Sequence, residues 1–240
     1  FAMPMMANAQ QVEQAETLPE IKVQASTLGE TTEGTGAYTT GSARSATPLS
    51  MSLRDTPQSV SVVTQQRIED QRLQTITDVL NNTTGVSVNQ YETNRAQFNA
   101  RGFKINNLMI DGVPTTWAQG WSSGEVMSSL APYDRVEVVR GATGLMTGVG
   151  DPSAAINLVH KRASSKEFVG SAEVGIGSWN QRRALVDLSS RLNQAGTLRG
   201  RIVAEYEEKD SWVDLMKNKA QTVFGTIEAD LAPDTLLTLG

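Results

Sequence analysis

A chain of 240 residues with 39% hydrophobic and 20% charged side chains has enough to bury for a folded protein, as one large domain or two smaller ones. Its net charge of -5 excludes the basic footprint of a nucleic-acid binder, and the absence of cysteine excludes disulfides, thiolate catalysis and cysteine-held metal sites. No apolar run approaches the roughly 20 residues of a membrane helix, which leaves open a barrel, whose strands alternate.

Residues 1–9, FAMPMMANA, are apolar and finish in Ala7-Asn8-Ala9, the small-x-small pattern that precedes signal-peptide cleavage. They read as a signal-peptide remnant, with Gln10 as the mature start. Residues 10–47 are rich in Gln, Glu, Thr, Gly and Ser and read as a tether with little to bury. Within it, Pro19 to Ala25 alternates as a short edge strand, with Ile21 and Val23 on one side and Lys22 on the other. An extended segment in a floppy tether is suited to adding itself to the sheet of a partner.

From residue 48 to 163 short strands and short helices alternate, as expected of a small α+β domain. Gln58 to Val63 reads as a strand, and Thr64 caps a helix running to Arg72. Thr75 and Asp78 have capping-box spacing for a second helix, to Asn81. Val86 to Gln90, Phe98 to Arg101 and Asn107 to Ile110 read as strands, the last followed by an Asp111-Gly112 turn. Ser122 to Leu130 reads as a short helix stopped before Pro132. Strands at Arg135 to Arg140 and Ala154 to Lys161 flank a loop holding Gly141, Gly144, Gly148 and Gly150. That loop matches neither phosphate-binding spacing, so its glycines read as turn residues.

No catalytic constellation is present. The single histidine, His160, lies mid-strand beside Lys161 and Arg162, which suits neither a triad nor a metal site. Two loops carry the candidate binding residues. Tyr91 and Arg95 precede one strand, and Trp117 and Trp121 follow another; flat apolar faces and charge-assisted donors together suit an oxygen-rich chelate. Packing inside the domain is the alternative for both tryptophans.

The pattern changes at Phe168. The segments Phe168 to Gly177, Gln181 to Leu192, Leu198 to Glu208 and Ala220 to Leu231 have the length of membrane strands, joined alternately by short turns and a longer charged loop. In the third, Arg199, Arg201, Glu205 and Glu207 share one parity, while Ile202, Ala204 and Tyr206 share the other. A soluble β-sandwich shows the same alternation, but paired charges at successive inward positions are costly in a dry core and suit a wet lumen. Trp179, Trp212 and Phe224 fit interfacial girdles or, alternatively, a core.

Three stretches, DTPQSVSVVTQQRIEDQ from Asp55, ARGFKINNLMIDGVP from Ala100, and RVEVVRGATGLMTGVGDPSAAINLVHKR from Arg135, resemble the plug domain of TonB-dependent outer-membrane siderophore receptors, of the coprogen, ferrichrome and pyoverdine type. The resemblance implies an α+β plug domain inside a transmembrane antiparallel β-barrel, of which residues 168–240 supply only the first strands. It implies a TonB box near 19–25, with Glu20, Ile21, Lys22 and Val23 binding TonB. It implies that Arg101 and Arg140 lock the plug to barrel carboxylates and that Arg95 contacts the siderophore, to which the loop chemistry adds Tyr91, Trp117 and Trp121. The expected protein is not an enzyme and has no intrinsic cofactor: its ligand is a ferric siderophore whose iron is carried by the chelator, and its surroundings are outer-membrane lipid and, at the tether, the periplasm. A barrel of this kind, of about 22 strands, cannot close on the strands present, so the chain is expected to be the N-terminal portion of a larger receptor. Other cargo (cobalamin, haem or a saccharide) and a soluble exported binding module are the competing readings.

Overall fold

The computed structural model describes residues 31–43, 45–46, 51–92, 95–115, 117, 128–141, 152–232 and 234–240. Residues 1–9 with their cleavage pattern, Glu20 to Val23, Trp121, most of the helix expected at 122–130, and Gly144, Gly148 and Gly150 lie outside the described residues.

The first unit is built on a mixed sheet. After a two-residue pair, β1 (Ser42–Ala43) with β2 (Met51–Ser52), come β3 (Ser59–Thr64), α1 (Gln65–Asp70) and α2 (Ile76–Asn81). A meander follows, of β4 (Val86–Glu92), β5 (Arg95–Ala100) and β6 (Phe103–Lys104), then β7 (Asn107–Ile110) and β8 (Val113–Thr115). The unit ends with β9 (Tyr133–Arg140) and β10 (Ala154–His160). The five-stranded sheet has the order β3-β9-β10-β7-β8, with β10 parallel to β7 and the other neighbours antiparallel.

Local chemistry explains the short helices. Thr64 caps α1 by accepting from the Arg67 N–H, and Thr75 with Asp78 forms both bonds of a capping box on α2. Their buried faces (Ile68, Ile76, Val79 and Leu80) meet Phe98, Leu108, Val136, Val138, Ile156 and Leu158 in one core. Strand β9 is buried on both faces: Val136 and Val138 enter this core, while Arg135 and Glu137 lie under residues 31–43 and 45–46. That stretch, expected to be part of the tether, is therefore docked. Asp134 accepts from Thr31 Oγ1 at 2.6 Å, Thr32 N at 2.8 Å and Glu33 N at 2.9 Å, and Glu137 accepts from both Ser45 N and Ser45 Oγ.

Residues 128–130 are not helical; Ser129 makes a β-bridge to Thr75 and its hydroxyl caps the Ala131 N–H at 3.0 Å. Bonding to α2's capping segment takes precedence there over the helical propensity read from the sequence.

The second unit is an antiparallel meander of β11 (Val169–Ile176), β12 (Arg182–Arg191), β13 (Leu198–Asp210), β14 (Lys217–Ala232) and β15 (Thr235–Leu239). Strand β14 starts at Lys217, earlier than the sequence suggests, because Asp210 and Glu208 pair across the hairpin with Lys217 and Lys219. The two faces separate by parity. Arg183, Asp187, Arg199, Arg201, Val203, Glu205 and Glu228 turn toward the first unit, whereas Val174, Ile176, Ile202 and Val223 turn outward and are exposed. Phe224 belongs to the inward face, stacked on His160 with parallel rings 4.5 Å apart, so it is a packing residue rather than part of a girdle; Trp179 and Trp212 are exposed at the hairpin ends.

Candidate functional site

The β4–β5 hairpin presents the first group of candidates. In β5, Ala96, Phe98 and Ala100 face the core, which places Arg95, Gln97 and Asn99 on the opposite, polar face. The Tyr91 hydroxyl donates to Gln97 Oε1, and the Arg95 guanidinium pairs with Glu92, whose carboxyl that hydrogen bond holds below its usual range. Tyr91 and Arg95 therefore lie together, exposed or nearly so, around one hairpin end.

Trp117 does not join them on the surface. It is only 7% exposed, and its ring lies against Phe98 at a centroid distance of 5.6 Å, tilted by 39°. The structure thus supports the packing alternative for this tryptophan: it holds the hairpin up from beneath. Its indole N–H is buried with no hydrogen-bond partner among the described residues.

Arg101 packs on Gly141, whereas the Arg140 side chain lies over Gly85. Gly141 has a φ of +109°, a backbone conformation that favours glycine, and the Arg101 guanidinium lies against it, with Nη1 2.9 Å from where a Cβ would stand. Arg140 donates to Ser59 Oγ at 2.7 Å and to the Thr84 carbonyl, joining β3 to the turn before β4. Among the described residues, no ion pair links Arg101 or Arg140 to a carboxylate of β11–β15.

The contacts between the two units come instead from residues whose pairing the sequence leaves unassigned. Arg201 forms a bidentate pair with Glu33, both bonds 2.7 Å, and a second with Asp187, at 2.8 and 2.6 Å. Lys161 Nζ reaches Asp187 at 2.9 Å and Glu33 at 4.0 Å. Next to this cluster, Arg162 pairs with Glu228 at 2.7 Å, and Arg199 donates to the Ala163 carbonyl at 3.1 Å. Nearer the opposite end, the Ser129 hydroxyl and Arg183 both bond Glu205. Inward charges on β12–β14 thus meet charges at the end of β10 and in residues 31–33. The parity of β13 revealed the inward row; no local pattern marked Glu33 as its partner.

The turn at Asp111 in the first unit contributes a further contact. His160 stacks between Tyr133 and Phe224, and its Nδ1 lies 2.6 Å from Asp111 Oδ2, while its backbone N–H donates to Asp111 Oδ1 at 2.9 Å. Burial pushes the Asp111 carboxyl up, but the hydrogen bonds from His160 outweigh it, and the group titrates below its ordinary value. A carboxyl acidified by folding stabilises the fold above its unfolded pKa and loses that contribution as pH falls through the lower folded value. The urea midpoint of the first unit is therefore expected to drop below about pH 4, and Asp111→Asn to lose this part of the pH dependence. A variant with the wild-type acid profile would assign that dependence to other carboxylates.

Comparison with known proteins matches these features. A family model described as TonB-dependent Receptor Plug Domain matches residues 52–155. The chain is 46% identical over 214 residues to the ferripyoverdine receptor of Pseudomonas aeruginosa, covering 89% of this chain and 26% of that protein. It is 42% identical over 226 residues to the ferric-pyoverdine BN7/BN8 receptor of Pseudomonas putida, covering 93% of this chain and 27% of that one. Among solved structures, it resembles the ferripyoverdine receptor of the outer membrane of Pseudomonas aeruginosa bound to ferripyoverdine, with a TM-score of 0.83, 45% identity and coverage of 88% and 28%. It also resembles the alcaligin outer-membrane receptor of Bordetella pertussis, with a TM-score of 0.80, 45% identity and coverage of 88% and 36%. The chain spans about a quarter of the length of the curated relatives it matches. With its mixed-sheet domain seated against an antiparallel wall that is polar inside and apolar outside, the chain belongs to the TonB-dependent receptors, of which it carries the plug domain and the first strands of the barrel.

Proposed function

We propose that the receptor to which this chain belongs sits in the outer membrane of a Gram-negative cell, binds a ferric siderophore of the pyoverdine class at its outer face, and imports it in a TonB-dependent manner. The observation that carries this reading is a plug of this family held against the barrel wall by breakable polar pairs, in a chain 46% identical to a ferripyoverdine receptor. The iron arrives as substrate inside its chelator. No catalytic step and no resident cofactor is proposed.

In this reading Tyr91, Arg95 and Trp121 touch the siderophore, and Trp117 supports the hairpin. Arg95 supplies charge-assisted donors to chelator oxygens once it leaves or shares Glu92. Glu20, Ile21, Lys22 and Val23 form the TonB box, adding a strand to TonB from the periplasmic tether. Arg101 and Arg140 keep their assigned role as lock residues toward barrel carboxylates outside β11–β15.

The test is binding of radioiron-loaded pyoverdine, with alcaligin in parallel, to iron-starved cells carrying or lacking the full-length gene. Arg95→Ala is expected to weaken binding by about 2 kcal/mol, roughly 30-fold, as for loss of a hydrogen bond to a charged group. Unchanged affinity removes Arg95 from the site, and failure of wild-type cells to bind either chelate removes the cargo assignment.

A further inference from the structure

The outward face of β12–β15 is not evenly clothed. Near the short turn at 192–197 it opens into a groove of about 660 Å³, with Phe168, Leu188, Leu192, Ile202, Ile227 and Leu239 as its sides. The floor is bare backbone at Gly200 of β13 and Gly225 of β14. Cross-strand register sets Gly200 opposite Ile227 and Gly225 opposite Ile202, so the glycines form one diagonal and the isoleucines the other. Pairing of β12, β13 and β14 is unbroken there and neither glycine has a left-handed φ, so no bulge or turn calls for glycine. A glycine inside a regular strand then marks the close approach of something else. A Cβ added to Gly225 would meet the Arg201 carbonyl oxygen at 3.9 Å and nothing nearer among the described residues. One added to Gly200 would stand 3.0 Å from Leu192, which leans over it and closes the groove toward the turn.

We infer that this groove seats one acyl chain of a phospholipid from the periplasm-facing leaflet of the outer membrane, with the lipid phosphate beside Lys166 and Arg191. Height fixes the leaflet: short turns mark the periplasmic end of a barrel, and the groove lies at that end. Along β12, Leu188 to Leu192 spans about 13 Å, close to half of a hydrocarbon core about 30 Å thick. Width fixes the occupant. The floor measures one strand spacing, about 4.8 Å, which admits a polymethylene chain but not a helix about 10 Å across. Charge completes the match. Arg191 and Lys166 are exposed beside the groove, and the Lys166 stem runs 3.6 Å from the Cβ position of Gly196 in the turn after Leu192. Asp230, an acid that Lys166 also faces, is held by Arg199 at 2.6 Å. The inference rests on the outer-membrane placement proposed above and is independent of the cargo.

The experiment places the full-length receptor in phosphatidylcholine vesicles with a trace of phosphatidylglycerol whose acyl chain carries a photoreactive group, and maps labelled peptides by mass spectrometry. Label is expected to gather on the groove peptides of β12–β14. Gly225→Leu, which fills the groove from its floor, is expected to cut that label at least fivefold while the barrel still assembles. Ala184→Leu, on the outward face of β12 away from the groove, is expected to leave it unchanged. Lys166→Gln combined with Arg191→Gln is expected to lower the preference for phosphatidylglycerol over an equally photoreactive diacylglycerol at least threefold. Label spread evenly along the outward strands, or unchanged in Gly225→Leu, overturns the site, and an unchanged lipid preference overturns the phosphate contact. Should Gly225→Leu fail to assemble, the wild type decides. Excess unlabelled phosphatidylglycerol is expected to displace the groove label at least threefold more than label elsewhere, and equal dilution overturns the site. Cross-linking of a second receptor copy through these residues in native membranes overturns the lipid assignment. A wild-type receptor absent from the outer-membrane fraction overturns the placement first, and the lipid with it.

Discussion

Replacing Arg201 by alanine is expected to cost about 3–5 kcal/mol in the seating of the plug, the penalty for leaving buried charges without their partner. The Arg201 side chain is 10% exposed and joins two carboxylates, Asp187 at 8% and Glu33 at 23%. Without it, Lys161 alone faces both acids. Glu33→Gln is expected to cost less, because Glu33 is the more exposed partner and its amide can still accept a bond. The double variant reports the coupling directly: if Glu33 and Arg201 act as one unit, the combined loss falls short of the sum by 1 kcal/mol or more, as an order-of-magnitude expectation. The measurement is the urea concentration at which the plug of the intact receptor becomes sensitive to protease. A loss for Arg201→Ala below about 1 kcal/mol would place the cluster among screened surface pairs.

The second large effect is expected inside the plug. Phe98 is fully buried and carries the Trp117 ring, so Phe98→Ala opens a cavity and is expected to destabilise the plug by about 3–5 kcal/mol. Because Phe98 stands one position from Gln97, which binds the Tyr91 hydroxyl, its loss is also expected to weaken siderophore binding by letting the hairpin sag. Phe98→Leu is expected to recover most of both. Arg95→Ala, by contrast, leaves stability unchanged and affects affinity alone. A Phe98→Ala receptor with full affinity and reduced stability would place the binding surface away from this hairpin.

What the sequence revealed, and what it concealed, follows from the range of the interactions. The capping box at Thr75 and Asp78 is a contact across three residues, and both of its bonds form. The alternation of β13 survives because one face meets charged partners and the other does not. Strand β5 begins at Arg95, three residues before the reading from Phe98, because Ala96 is a small residue that fills an inward position without looking hydrophobic. Glu33 could not be found at all: it lies 168 positions from Arg201, in a stretch whose composition signals a tether. Trp117 was ambiguous for a different reason. An aromatic ring serves equally well for stacking on a ligand or on Phe98, and only the three-dimensional path of the chain decides between them.

The outward face of β13 carries Gly200, Ile202, Ala204 and Tyr206 before reaching Glu208, which is paired to Lys219 on the next strand. Between Leu198 and Tyr206 the greasy stretch is short: about 20 Å in height for strands tilted by about 40°. Such a wall is mismatched to a thick, sterol-stiffened bilayer and at ease in a thin one. Lipids around these strands must shorten or the protein must lean, with the Glu208–Lys219 pair marking one polar edge of the band.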